Sequence, residues 1–99
     1  MKSSEMTFLA ALVGMMYGDC TFLRTATVRQ IYEDRTIWSA QVAVFDLNVD
    51  GEASECFAWC NEDELGTPRP VVFVKTGEID SPAAAVRAFA ARELPALVA

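Results

Sequence analysis

Met6, Leu9, Ala10, Val13 and Met16 recur at the three- and four-residue spacing of one helix face, and Phe8, Leu12 and Met15 occupy a second face. The spacing predicts a helix that is apolar most of the way round. Such a helix is covered by its own domain or by another chain. Ser3 or Ser4 can cap its start, Glu5 complements the dipole of its first turn, and Gly18-Asp19 ends it. From Thr21 onward the texture turns β-branched and aromatic, which predicts strands over about 21–32, 36–47, 53–60 and 71–75. Glu33-Asp34-Arg35 marks a polar turn, and Asp50-Gly51 is the usual two-residue hairpin turn, because both positions tolerate positive φ. Residues 61–70 read as a long polar loop with Gly66, Pro68 and Pro70. Ser81-Pro82 then opens a second helix, Ser as N-cap and Pro at the first helical position. Val86, Phe89 and Ala90 form its apolar stripe, and Pro95 is read as its stop.

The order is α-β-β-β-β-α. The expected architecture is one α+β domain over residues 1–99: an N-terminal helix, a four-stranded antiparallel meander and a C-terminal helix packed on the sheet. Both helices can share one sheet face, or helix one can pack elsewhere, against a partner; the pattern leaves open which face each covers.

The hairpin turn also implies a register. If Asp50-Gly51 is the turn, Val49 faces Glu52, Phe45 faces Cys56, Val44 faces Phe57, and Val42 faces Trp59. One sheet face then carries Trp38, Val42, Val44, Phe57 and Trp59, and the other carries Ile37, Ala43, Phe45, Leu47, Cys56 and Ala58. Neither face is polar, whereas an antiparallel sheet with one solvated face alternates apolar and polar residues. The expectation is that helices cover one face and a second copy covers the other, so Trp38, Val42, Val44, Phe57 and Trp59 are a candidate homodimer face. The same residues are alternatively a candidate pocket for a small apolar ligand between helix and sheet. The bland alternative is a monomer whose helices and 61–70 loop cover both faces. The register also sets Asp46 opposite Glu55, a like-charge pair that is mildly unfavourable.

Composition supports a folded domain: 53% of the 99 residues are hydrophobic and 22% charged. The net charge of −6, from 14 acids and 8 bases, argues against a phosphate-binding surface. With strand four set aside, the element order resembles that of double-stranded-RNA-binding domains. Such domains meet phosphates with a basic helix start, whereas Glu78 and Asp80 precede the second helix here. Nucleic acid is therefore not an expected partner. Half of the acids, Asp46, Asp50, Glu52, Glu55, Glu62, Asp63 and Glu64, lie between Arg35 and Arg69, a stretch with no basic residue. Asp50, Glu52, Glu62, Asp63 and Glu64 are the candidate partner-binding acidic residues, suited to a basic protein partner. The turn and the 61–70 loop fall at opposite ends of strand three, so these acids flank the strand rather than form one compact site.

Candidate chemistry is sparse. His is absent, which removes the commonest general base. No Gly-rich phosphate loop is present, and nothing selects one carboxylate pair for acid–base work. Cys20, Cys56 and Cys60 are an odd count with no second Cys pair, which fits small buried hydrophobes better than a disulfide framework or a zinc site. Four residues along a strand span about 13 Å, too far for Cys56 and Cys60 to join. The apolar run Met6–Tyr17 is about 12 residues, where a spanning helix needs about 20. Glu5 and Tyr17-Gly18-Asp19 also make it a poor signal peptide. The expectation is a cytoplasmic, non-catalytic protein without metal, cofactor or membrane partner. It acts by binding another protein, as an inhibitor, immunity or accessory protein does, and self-associates, a dimer being favoured.

Overall fold

In a computed structural model the chain runs α1 (Ser3–Tyr17), β1 (Cys20–Tyr32), β2 (Arg35–Val49), β3 (Glu52–Glu62), β4 (Pro68–Val74) and α2 (Pro82–Val98). Residues 2–32, 35–62 and 65–98 are described, with the side chains of 30–40, 62 and 93–98 outside that description. The four strands form one antiparallel sheet in the order β1-β2-β3-β4. This is the expected α+β meander with a helix at each end.

The hairpin fixes the register. Asp50 and Gly51 take φ of 52° and 84°, the left-handed values that a tight hairpin turn needs. Val49 pairs with Glu52, Phe45 with Cys56 and Val44 with Phe57, and the ladder continues to Ala43 and Ala58. β2 and β3 are the central strands, and Val42, Ala43, Val44 and Phe45 are all fully buried, as are Cys56, Ala58 and Trp59. Side chains alternate between faces along a strand, so an unbroken buried run means that both faces are covered.

The two helices take opposite faces, not the same one. On one side α1 lays Leu9 and Val13 on Ala43, Phe45, Leu47, Cys56 and Ala58. On the other, α2 lays Ala85 and Val86 on Val42, Val44, Phe57 and Trp59. A fully buried Val, Leu or Phe contributes about 1.5–3 kcal/mol, and here both helices gain it from one thin sheet. The routing is set by the connections. α1 reaches β1 through Gly18, whose φ of 86° and N–H bond to the Gly14 carbonyl end the helix at once. α2 follows β4 after a turn in which the Thr76 N–H bonds the Ile79 carbonyl and the Ile79 N–H bonds the Thr76 hydroxyl. The Ser81 hydroxyl then accepts from the Ala84 N–H at 3.1 Å, the predicted N-cap.

Several local expectations need correction. Neither Ser3 nor Ser4 caps α1: the N-cap position falls on Lys2, which makes no side-chain cap bond, and the Thr7 hydroxyl donates to the Ser3 carbonyl. Pro95 does not stop α2, which continues to Val98. So close to the helix end the proline forfeits one backbone bond and no more than one turn depends on it. β4 begins at Pro68, inside the expected loop. It is an edge strand, and Pro68 and Pro70, two residues apart, turn their missing N–H groups to the same open side. β1 carries a bulge at Leu23: Phe22 pairs with Phe45, but Arg24 pairs with Val44. The extra residue switches the inward parity, so Cys20 packs under α1 whereas Val28 packs under α2.

Candidate functional site

The β2–β3 hairpin gathers carboxylates at one end of the sheet. Asp46 pairs directly with Glu55, and a few residues on Asp50 sits in the turn and Glu52 follows it. On the next strand, the Lys75 N–H donates to the Glu55 carbonyl at 2.8 Å, so the chain following β4 runs beside Glu55. On β1, Thr21 pairs with Asp46. The register thus draws a polar row across the sheet: Thr21, Asp46, Glu55, Lys75. It lies on the face that α2 covers, beyond the α2 core of Val44, Phe57 and Val86.

Two shallow, open depressions flank the hairpin. One, of about 530 Å³, is lined by Asp46, Ser54, Glu55, Lys75 and Thr76 among others. The second, of about 470 Å³, is lined by Val49, Asp50, Glu52, Ala53, Ser54 and Val74. Strand alternation explains the pair: Ser54 and Val74 follow the α1 face and Glu55 and Lys75 the α2 face, so the depressions lie on either side of the same edge of backbone. Both are open, carry acidic rims and offer no enclosed apolar volume. They suit a protruding cationic side chain rather than a sequestered small molecule.

The sequence-predicted acids divide as expected. Asp50 and Glu52 lie exposed at the hairpin end. Glu62 ends β3 at the opposite end of the sheet, with its side chain outside the described residues, as are Asp63 and Glu64 altogether. In the sequence Asp46 and Glu55 stand among the acids of the stretch without basic residues and as a mildly unfavourable cross-strand pair. In the structure both line the 530 Å³ depression, and their mutual placement in the register is the signal.

The candidate apolar face is occupied from within the chain. Trp59 stacks on Phe73 with ring centroids 5.9 Å apart and meets Phe89 of α2 edge-on at 5.7 Å. Val42, Val44, Phe57 and Trp59 are at most 1% exposed. Arg92, on the outer shoulder of α2, rests its guanidinium 5.3 Å above the Phe73 ring rather than standing in solvent alone. The Trp38 side chain is outside the described residues; its backbone, in β2, pairs with Gln30 of β1. The apolar character of this face therefore needs no second copy to account for it.

The three thiols all lie beneath α1. Cys56 is fully buried, Cys20 and Cys60 half-buried, and all three are free. Burial pushes the Cys56 thiol up to about 12, with the neighbouring Cys20 adding to the rise, and burial also raises Cys60, helped by Glu5. Thiols shifted this way are protonated and poor nucleophiles at neutral pH. Among the described residues no group of three or more Cys, Asp or Glu is placed to hold a metal ion. No helix among them is long and apolar enough to cross a membrane. Compared with protein-family models, with curated proteins and with solved structures, the chain matches none.

Proposed function

We propose that this is a non-catalytic binding protein that holds a basic protein partner at the β2–β3 hairpin end of its sheet, in the manner of an inhibitor, immunity or accessory protein. The observation that carries the reading is the Asp46–Glu55 pair set into an open depression. Two carboxylates directly opposite each other on a sheet destabilise the fold by about 0.2–1 kcal/mol. A lysine or arginine side chain of a partner, entering the depression, relieves that repulsion, and Asp50 and Glu52 extend the acidic field that steers its approach. Lys75 beside Glu55 limits the excess charge in the free protein and favours a bidentate arginine that engages Asp46.

The reading is tested with an arginine-rich probe peptide and a charge-neutral analogue, followed residue by residue in heteronuclear NMR spectra. Shifts concentrated at Asp46, Ser54, Glu55 and Thr76–Gly77 are expected, with affinity falling steeply as salt is raised. Asp46→Asn is expected to weaken binding while raising stability by about 0.2–1 kcal/mol, because it removes the repulsion. Binding that ignores salt, or that survives both Asp46→Asn and Glu55→Gln, counts against this surface.

A further inference from the structure

We propose that the outer face of α1 is a self-association surface, on which a second copy of this chain packs its own α1 antiparallel about a two-fold axis near Ala11. Leu9 and Val13 point into the sheet and are fully buried. Ser4, Phe8, Ala11 and Met15, spaced by four, three and four residues, form the opposite stripe, and all four are exposed. Phe8 is 49% and Met15 85% exposed. From Met6 to Tyr17 the helix carries no charged residue, so the stripe is not a solvated polar face.

The features of the stripe select its occupant. Ala11 at the centre is small, which lets two helix backbones approach closely. About an axis there, Phe8 of each copy falls beside Met15 of the other, a large side chain against a flexible one on both sides. The charges at the two ends are Lys2 before the helix, Glu5 in its first turn, four residues before the buried Leu9 and so turned toward Cys60 and the sheet, and Asp19 just after it. Antiparallel pairing brings Lys2 of each copy beside Asp19 of the other, twice over, and sets the N-terminal end of each helix dipole beside the C-terminal end of the other. An anionic bilayer is the poorer fit: the chain carries a net charge of −6, and α1 has no basic residue within it.

Size sets the strength. Phe8 and Met15 expose roughly 270 Å² of side chain, taking about 200 Å² for each when fully exposed. This is about a third of the roughly 800 Å² per partner of a standard interface. The dimer is therefore weak and concentration-dependent. This surface is separate from the acidic hairpin, so failure of either reading leaves the other standing.

Sedimentation velocity over a hundredfold range of protein concentration tests the proposal. The wild-type chain should pass from monomer to dimer. Met15→Glu should raise the dissociation constant at least about tenfold, with an unchanged urea midpoint showing that the exposed site was not needed for folding. Lys2→Glu and Asp19→Lys should each weaken the dimer, and the double reversal should restore it. A chain that is monomeric throughout, or a dimer indifferent to Met15→Glu, overturns the surface. Failure of the double reversal to rescue overturns the antiparallel arrangement. Met15-dependent flotation of a monomeric chain with anionic vesicles gives the stripe to lipid instead.

Discussion

If α2 covers one face of the sheet by itself, truncating Phe89 to Ala should be costly in an isolated chain. Phe89 meets Trp59 edge-on at 5.7 Å and packs against the Val42, Val44, Phe57 and Trp59 cluster. Full truncation of a buried Phe costs about 3–5 kcal/mol, and the ring of Phe89 is only partly buried, so about 2–3 kcal/mol is expected. Chains of this length have about 5–15 kcal/mol to lose, so the variant remains folded and measurable. Urea unfolding of wild type and variant, followed by fluorescence in a Trp38→Phe background, reports on Trp59 alone. At a slope of about 1–3 kcal/mol per molar urea, the midpoint should fall by roughly 0.7–3 M. Leu9→Ala on the opposite face is the companion, at about 2.7–5 kcal/mol for a fully buried leucine. The two side chains sit on different faces and share no neighbour, so the double variant should lose the sum to within about 0.5 kcal/mol. A Phe89→Ala loss below about 0.5 kcal/mol, the size of a surface effect, would refute the packing. It would leave that sheet face open to a second copy.

Two further perturbations follow from the same packing. The folded-state pKa of Cys56, about 12, lies above the ordinary thiol value of 9.0, so its contribution to stability is complete below pH 9 and is lost as pH rises toward 12. Unfolding free energy should decline by up to about 1.4 kcal/mol per pH unit in that window, and Cys56→Ala should flatten the decline. An equal slope in both proteins would assign it to other groups. Gly51→Ala places a side chain at φ of 84° and should cost about 1–2 kcal/mol in thermal or urea unfolding, whereas a neutral result would mean that the hairpin turn relaxes to another geometry.

The strand register was legible because one dipeptide determines it. Asp50-Gly51 leaves a single two-residue turn, and every partner from Val49–Glu52 to Ala43–Ala58 follows by counting outward. Counting failed at Leu23, where nothing in Phe22-Leu23-Arg24 announces an extra residue, and at Pro68, where proline reads as a breaker unless the strand is known to be an edge. Helix placement stayed open for a different reason. Two apolar faces state that both must be covered, but a chain with two helices and two faces leaves the assignment to the routing of Gly18-Asp19 and of residues 75–81.

The same limit explains the candidate site. A count of acids along the chain highlights Glu62, Asp63 and Glu64 as strongly as Asp50 and Glu52, because density in sequence is not density in space. The hairpin breaks the tie: it folds residues 46–55 back on themselves, so Asp46 and Glu55, nine positions apart, become neighbours, while Glu62 is carried to the far end of β3. The mildly unfavourable Asp46–Glu55 pair is therefore the register's most informative consequence. A like-charge pair retained in a correct register, in an open depression, is a cost that a bound cation removes, and stability and binding should respond to Asp46→Asn with opposite signs.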